Sequence, residues 1–441
     1  MNKVTVDFNK KHQTVESFGG SAAWWSQVVG NFPVSDKIAE LLFSKEKGIG
    51  LGVYRYNLGA GTMKNGESPF WVWERATEKP QNDTVAISMM QKCVAAGADE
   101  ITVFVNSPPV ELTVNGKGRC EKALSKNIKP VNYKAFANYC LDSCEYLLNM
   151  GLPVKYLSPI NEPAWTWCDD KQEGCFYLPH DVKRVFRAFA EELEKREHLK
   201  GKLLLAGTEC ADLRWLNKSY SRAILNNKIT RRNIDSVDYH AYWLNPIKPF
   251  FSDRAAYLKR YRKFHDRWYP NTKIKMTEWC HMQGGTDCSM NSGIAVANTM
   301  YEDLKYADVV SWQHWVLVAF GDYCDGIIYV DREKQTYELT KRYFVTGNFS
   351  KFLVGATRVE AACDNKEINC LCFTKNDEII YILINNSDNE QIVYLSNEGN
   401  AKMYVTDENN DLTENEVAAA SNIKLNPKSV NTVVIQSGVN G

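Results

Sequence analysis

The chain has 441 residues, enough for one large and one small domain, and its charge excludes a protein drawn to polyanions by a strong overall field. Its 53 Lys and Arg residues balance 53 Asp and Glu residues, so the formal net charge is zero. We therefore expect neutral polymers or small molecules as ligands and no nucleic acid partner. Aromatic residues make up 12% of the chain, and rings with apolar faces and polar edges suit the binding of sugars.

The N-terminal segment alternates apolar and polar residues and contains no apolar run of the length of a signal peptide or a membrane span. The 13 cysteines are irregularly spaced, and the chain has 7 histidines. Without paired Cys-x-x-Cys motifs or clustered histidines, this composition favours free thiols in a reducing cytosol over a metal site. We expect a cytoplasmic protein without metal, cofactor or membrane insertion. The alternative is a secreted protein whose signal peptide has been removed, and the oligomeric state is open.

Eight short apolar runs, separated by longer segments with helical periodicity, follow one another along most of the chain. The helical segments include 133–148 and 181–193, where apolar residues recur every three or four positions. Eightfold alternation of strand and helix predicts an α/β protein with a (β/α)₈ TIM barrel over residues 15–341. The expected strands are 15–20, 49–57, 101–106, 156–161, 203–207, 237–240, 274–278 and 309–314.

The pattern changes after about Arg342. Short strand-like runs, split by Asn, Asp and Gly turns, continue to the end of the chain with no long helix between them. This pattern predicts an appended all-β sandwich domain over residues 342–441. The N-terminal strand 3–8 precedes the first barrel strand and is expected to pair with this module, so residues 1–14 are assigned to the same domain.

The fourth and seventh barrel strands are each expected to end in a glutamate. Pro159 and Pro163 flank the Asn161-Glu162 pair and cannot extend a sheet, so the fourth strand should end at Glu162. A lone glutamate beside a turn proline is ordinarily an acidic loop residue. However, the C-terminal ends of barrel strands surround one central site, where Glu162 and Glu278 would face each other. Two opposed carboxylates are what glycoside hydrolysis requires.

Six sequence motifs resemble glycoside hydrolase family 30, of the clan A barrels that carry Asn-Glu on strand four and Glu on strand seven. The resemblance extends over nearly the whole chain and implies the barrel with a side β-sandwich. The motifs are SFGGSAAW at 17–24, YRYN at 54–57, SPINEP at 158–163, MTEWC at 276–280, SWQHW at 311–315 and RYFVTGNFSKF at 342–352.

The resemblance implies a retaining double displacement, with Glu162 as the general acid/base and Glu278 as the nucleophile. Retention requires the two carboxyl groups to lie about 5–5.5 Å apart. Glu278 must be ionised, and Arg55 is the cation expected to hold it so. Asn161 is expected to hydrogen-bond the sugar 2-hydroxyl.

The other polar residues at the strand ends have alternative roles. His240 and Tyr242 are expected to orient Glu278 or the sugar, although His240 could equally be a core histidine bound to a backbone carbonyl. Arg55 could be a structural ion-pair partner, and Asn161 alone would be a strand-end cap. Glu209 matches no catalytic motif, so substrate contact and structural pairing stay open for it.

Several tryptophans are expected to line the substrate site. Trp24 lies in the first motif, while Trp165 and Trp315 should surround Glu162 together with Trp279 and so favour its protonated form. Trp71, which alternates with Trp73 in a long loop after the second strand, is either part of a packed lid or a sugar-stacking platform.

The loop Gln172-Glu173-Gly174 resembles the family branch that contains β-1,6-galactanases. The expected substrate is therefore β-1,6-galactan or galactooligosaccharides. A β-glucosidase, a β-1,6-glucanase and a xylanase or xylosidase of the same family are the alternatives. A non-catalytic carbohydrate-binding protein on the same scaffold is an alternative of another class. Endo or exo action is left open.

Overall fold

The computed structural model describes residues 2–60, 80–168, 172–211, 217–242, 253–397, 399–417 and 422–436. The chain begins with strand β1 (Asn2–Thr14), and the next eight strands are parallel and close into a barrel, which confirms the predicted (β/α)₈ architecture. The barrel strands are β2 (Ser17–Ser21), β3 (Val53–Leu58), β4 (Glu100–Val105), β5 (Val154–Ser158), β6 (Leu204–Cys210), β7 (Ile234–His240), β8 (Lys273–Glu278) and β9 (Ser311–His314).

Helices surround the barrel and cover its apolar strands. In α5, the apolar residues Val182, Val185, Phe186 and Phe189 recur every three or four positions and are all buried, as one face of an amphipathic helix requires. The helices are α1 (Ser26–Val29), α2 (Ser35–Phe43), α3 (Thr84–Ala96), α4 (Tyr133–Asn149), α5 (Pro179–Glu194), α6 (Asn217–Leu225), α7 (Lys228–Asn233), α8 (Arg254–Trp268), α9 (Met290–Glu302) and α10 (Lys341–Leu353).

The register of the barrel strands brings polar residues to one end. Ser21 pairs with Arg55 between β2 and β3, and His240 pairs with Glu278 between β7 and β8. The start of the barrel is packed so closely that a Cβ atom at Gly19 would lie 2.3 Å from the backbone oxygen of Val53. Only glycine fits there, and the close approach of β2 to β3 holds Arg55 in the barrel mouth.

The remaining strands follow the barrel. Three form a small sheet beside the barrel, and eight join β1 in a nine-stranded sheet of order β18-β17-β20-β15-β14-β13-β1-β16-β19. The small sheet contains β10 (Val318–Ala319), β11 (Ile328–Val330) and β12 (Tyr337–Leu339); the others are β13 (Thr357–Cys363), β14 (Ile368–Lys375), β15 (Glu378–Asn385), β16 (Gln391–Tyr394), β17 (Ala401–Thr406), β18 (Thr413–Val417), β19 (Ile423–Leu425) and β20 (Ser429–Gln436).

The nine-stranded sheet forms the predicted side sandwich. Strand β14 alternates between two cores: Cys370 and Cys372 face an inner core with Leu425 of β19, whereas Leu371 and Phe373 join the main core of the barrel. Because successive residues of a strand point to opposite faces, this strand is buried on both sides. Strand β1 pairs antiparallel with β13 and parallel with β16, and so connects the two layers.

Helix α10 differs from the sequence-based expectation of strands alone after residue 342. Its Asn348 side chain donates to Thr432 Oγ1 at 3.0 Å in β20, and the Tyr343 hydroxyl donates to the carbonyl oxygen of Leu41 at 2.8 Å. The helix therefore contacts the sandwich on one side and the barrel helices on the other. The division between the domains at residues 341 and 342 stays a prediction.

All thirteen cysteines are free thiols. Among the residues that the structure describes, no helix has the length and apolar composition needed to cross a bilayer.

Candidate active site

Glu162 lies beyond the end of its strand, which corrects the expectation that the strand ends at this residue. Strand β5 ends at Ser158, because Pro159 has no N–H with which to continue the ladder. The chain then turns back, and Glu162 has a left-handed backbone with φ of 42°. Its N–H donates to the carbonyl oxygen of Glu209 at 2.9 Å. Glu209 has a φ of 53°, and such costly conformations are typical of functional sites.

The carboxylates of Glu162 and Glu278 face each other across a short gap. One oxygen of each and a ring nitrogen of His240 all lie within 4.8 Å of one another. The side chain of Glu162 is 12% exposed and that of Glu278 is 7% exposed. Both can therefore be reached from the barrel mouth, although most of each side chain is shielded from water.

Glu278 is held by two donors. Arg55 Nη1 donates to its Oε2 at 2.7 Å, and the Tyr242 hydroxyl donates to its Oε1 at 3.2 Å. Burial raises the pKa of Glu278 above its ordinary value, and the positive charges of His240 and Arg55 offset this rise only in part. Burial also disfavours the charged form of Arg55, but the carboxylates of Glu209 and Glu278 outweigh it and raise its pKa. The guanidinium is therefore a permanent cation beside Glu278.

His240 bridges two carboxylates. Its Nδ1 lies 2.8 Å from Glu162 Oε1, and its Nε2 lies 3.0 Å from Glu209 Oε2. Burial lowers its pKa, but the charge of Glu278 and the hydrogen bonds to Glu162 and Glu209 raise it to about 10. The imidazole is therefore protonated at neutral pH and donates from both nitrogens. Its two partners are carboxylates and not the backbone carbonyl of the core histidine considered from the sequence.

Glu209 is the group at this site whose role the sequence left open. Its side chain has no exposed surface, and Arg55 Nη2 lies 3.4 Å from its Oε2. The same oxygen accepts hydrogen bonds from His240 and from the hydroxyl of Thr277. Burial alone would raise the pKa of Glu209, but Arg55, then His240 and Thr277, lower it to about 2. Its position at the end of β6 was visible in the sequence, but its partners on three other strands were not.

Asn161 lies beside the two carboxylates and is also buried. Its side-chain oxygen accepts a hydrogen bond from Arg55 Nη2 at 3.3 Å. Because the carbonyl oxygen is used in this way, the NH₂ group is the donor that Asn161 can offer to a sugar hydroxyl.

The aromatic residues separate into an exposed and a buried set. The Trp24 ring packs edge-on against the Trp315 ring with centroids 5.3 Å apart, and its indole N–H donates to Asn57 Oδ1 at 2.9 Å. Trp165 is 46% exposed, and its backbone N–H donates to the carbonyl oxygen of Glu162 at 3.0 Å. Its expected part in enclosing the Glu162 carboxyl group stays a prediction. Trp71 lies outside the described residues.

Trp167 is a positioning residue that sequence reasoning did not separate from Trp165. It is buried, and its indole N–H donates to the carbonyl oxygen of Glu162 at 3.0 Å. A Cβ atom at Gly174 would lie 2.2 Å from the Trp167 ring. The glycine of the Gln-Glu-Gly loop therefore makes room for the indole that holds the Glu162 backbone in place.

Comparison with known proteins places this geometry in a family. The family model described as O-glycosyl hydrolase family 30 matches residues 1–254. Similar solved structures include a conserved exported protein from Bacteroides fragilis, at 21% identity and a TM-score of 0.86, covering 98% of this chain and 100% of the other. A glycoside hydrolase family 30 subfamily 8 xylanase from Clostridium acetobutylicum matches at 19% identity and a TM-score of 0.74, covering 98% and 99%.

The endo-β-1,6-glucanase BT3312 matches at 13% identity and a TM-score of 0.69, covering 99% of this chain and 94% of the other. At these identities the solved structures support the barrel and side sandwich, whereas the family model supports the kind of protein. The chain belongs to O-glycosyl hydrolase family 30, and the protein is a glycoside hydrolase.

Proposed function

We propose that the protein hydrolyses β-linked glycans with retention of configuration, by double displacement. The closeness of the two carboxylates carries this proposal, because one oxygen of Glu162 and one of Glu278 lie within 4.8 Å of each other. Retaining enzymes place their carboxyl groups about 5–5.5 Å apart, whereas inverting enzymes leave about 6.5–9.5 Å for a water molecule.

In the first step, Glu278 attacks the anomeric carbon and forms an ester bond to the sugar. Glu162 gives its proton to the glycosidic oxygen, so the leaving group departs as an alcohol. In the second step, Glu162 accepts a proton from water, whose oxygen attacks the anomeric carbon and releases Glu278 as a carboxylate. The proton taken from water restores Glu162 to its starting state.

Arg55 and Tyr242 keep the nucleophile in position for this attack. They contact different oxygens of Glu278, so the carboxylate cannot rotate without losing a donor. Asn161 would donate its NH₂ group to the 2-hydroxyl next to the reacting carbon, a contact that strengthens in the transition state of many glycosidases.

We propose β-1,6-galactan or its oligosaccharides as the substrate, on the resemblance of the Gln172-Glu173-Gly174 loop. The Glu173 carboxylate is buried and accepts from the Ala60 N–H at 3.2 Å. The loop thus supports the chain leaving β3, next to the residues that the structure does not describe. We propose that the loop influences the choice of sugar through this support of the chain after β3.

β-1,6-glucan and xylan are the competing substrates. The names of two similar structures, an endo-β-1,6-glucanase and a xylanase, support them. A cytoplasmic enzyme would act on imported oligosaccharides, as the free cysteines suggest, whereas the name of the Bacteroides fragilis neighbour supports an exported enzyme acting on the polymer.

Proton NMR of the anomeric signals during hydrolysis tests both the mechanism and the sugar. With a β-1,6-galactooligosaccharide, we expect the β-anomer to appear first and to mutarotate later. Early α-anomer would overturn the retaining mechanism. Cleavage of β-1,6-glucan or xylan in place of galactan would keep the mechanism and refute the substrate.

A further inference from the structure

Five ionisable groups form one connected cluster at the catalytic end of the barrel. The carboxylate of Glu209 lies 3.4 Å from Arg55 and 3.0 Å from His240, so it contacts both cations of the cluster. The same cations contact Glu278, and His240 contacts Glu162. Unlike Glu162 and Glu278, Glu209 has no exposed surface. A substrate in the cleft cannot touch it, so any effect of Glu209 on the reaction must pass through its two partners.

The charges of this cluster balance in the free enzyme. The proposed mechanism starts with the catalytic proton on Glu162, which is then uncharged, and with Glu278 and Glu209 ionised. Their two negative charges match the positive charges of Arg55 and His240. Without Glu209 the buried cluster would carry one uncompensated positive charge, which is costly away from water.

The charges balance again in the glycosyl-enzyme. Glu278 is then an ester without charge, and Glu162 has given its proton to the leaving group and is ionised. Glu162 and Glu209 together match Arg55 and His240. The negative charge has moved from Glu278 to Glu162, and the two cations and Glu209 have not changed.

We infer that Glu209 is the fixed counter-charge that keeps His240 protonated and the buried cluster neutral in both states of the reaction. The inference rests on the proposed function, since the second state exists only in a retaining enzyme. It makes Glu209 a positioning residue, because His240 is the group that contacts the acid/base Glu162 at 2.8 Å.

No other acid among the described neighbours of Glu209 can take this role. Asp238 of β7 and Lys275 of β8 lie deeper in the barrel, and Thr277 contributes an uncharged hydroxyl. Burial, and then the charge of Glu209, raise the pKa of Asp238 to about 7. Asp238 is therefore not a fixed negative charge at neutral pH, and the cation that lowers its pKa is Lys275.

Substitution of Glu209→Gln tests the inference through the protonation of His240. In ¹⁵N-labelled protein, the ring signals of His240 are identified by their loss in His240→Asn. We expect the wild-type ring to stay protonated up to about pH 10. In E209Q, the midpoint should fall by about 1–3 pH units, the usual effect of losing a nearby opposite charge.

The pH dependence of kcat/KM gives a second readout on whichever glycoside the wild type hydrolyses. Removing a negative charge favours the loss of protons from the cluster, so the basic limb of E209Q should move to lower pH by about one unit or more. Glu209→Asp keeps the charge and should restore most of the limb. Thr277→Val removes a hydrogen bond to Glu209 but no charge. The basic limb of its kcat/KM profile should therefore coincide with that of the wild type.

Two outcomes would overturn the inference. One is a wild-type His240 ring that is already neutral at pH 8, which needs no variant to observe. The other is a folded E209Q that loses activity equally at every pH while His240 titrates as in the wild type; Glu209 would then only support the fold. Failure of the proposed function is distinguishable, since it would appear as absent hydrolysis or inversion by the wild type itself.

Discussion

The catalytic end of the barrel and the side sandwich are both buried, but opposite kinds of residue fill them. Arg55, Glu209 and His240 fill the first and are held by mutual hydrogen bonds and ion pairs. The sandwich core contains alternating apolar side chains such as Leu383 and Val433. Buried charges are costly unless they are paired, whereas apolar burial is favourable in itself. We therefore expect substitutions at the barrel end to affect mainly activity and substitutions in the sandwich core to affect mainly the free energy of unfolding.

The largest expected effect is the loss of activity in Glu278→Gln. Without a nucleophile, the glycosyl-enzyme cannot form, and kcat should fall by at least about 10⁴-fold. The amide keeps nearly the same volume, and burial raises the pKa of Glu278, so the charge of this residue, unlike that of Glu209, adds no stability to the fold. The melting temperature should therefore stay close to that of the wild type. Turnover and thermal unfolding measured on the same preparation check both points.

The glutamine variant also tests the binding-protein alternative. An enzyme variant of this kind should still bind the oligosaccharide in calorimetry while failing to hydrolyse it. A wild type that binds but shows no turnover would instead identify a non-catalytic carbohydrate-binding protein.

A substitution in the sandwich core is expected to lower stability and to leave activity unchanged. Leu383→Ala removes a fully buried side chain from the inner core and should cost about 2–5 kcal/mol of unfolding free energy. The activity of the protein that remains folded should be unchanged. Ile392→Ala is the matched control, since Ile392 lies on β16 and is 46% exposed; it should cost less than about 1 kcal/mol. A large fall in kcat without loss of stability in L383A would contradict the comparison.

The charged cluster should also make stability depend on pH. The pKa of His240 is raised to about 10 from an ordinary value of 6.5, so its stabilising contribution is complete below pH 6.5 and is lost as pH rises towards 10. For Glu209, with a pKa lowered to about 2 from 4.5, the contribution is complete above pH 4.5 and is lost as pH falls towards 2.

Urea unfolding of the wild type and of His240→Asn at several pH values tests the predicted loss of the His240 contribution at alkaline pH. The difference in unfolding free energy between the two proteins should shrink between pH 6.5 and 10. A difference that stays constant over this range would show that His240 is not protonated in the folded protein.

The smallest effect is expected at Trp165. Because its ring is nearly half exposed, Trp165→Ala should leave stability unchanged and raise KM by about tenfold or less if the ring stacks on the sugar. Trp167→Ala is the contrasting variant: it removes a buried ring and the donor to the Glu162 carbonyl, so it should lower both stability and kcat. Equal effects of the two changes would contradict the separation of exposed and buried tryptophans.

The strand alternation and the meeting of Glu162 and Glu278 at one end of the barrel could be predicted from the sequence, because both depend on local patterns. Eight apolar runs predict eight strands, and parallel closure brings their ends together. The end of the fourth barrel strand was predicted four residues too late, at Glu162 instead of Ser158, since the turn after Pro159 leaves no periodic signal.

Contacts across the barrel could not be predicted in this way. Glu209 meets Arg55, His240 and Thr277 only because the register of four strands aligns their ends, and register depends on packing along the whole barrel. The alternation of Trp165 and Trp167 in the sequence likewise did not show that the first ring is exposed and the second buried. Helix α10 was missed because Gly347 and its polar residues weaken the helical pattern.

Strand β1 has a consequence for how the protein is made. Val4 pairs with Cys363, so this N-terminal strand must wait for more than three hundred further residues before its antiparallel partner is synthesised. Contacts of such long sequence separation form slowly, and an unpaired strand edge is prone to associate with other chains. The sandwich is therefore the last part of the fold that a ribosome can complete, and a chain released before β13 would carry β1 as an open edge.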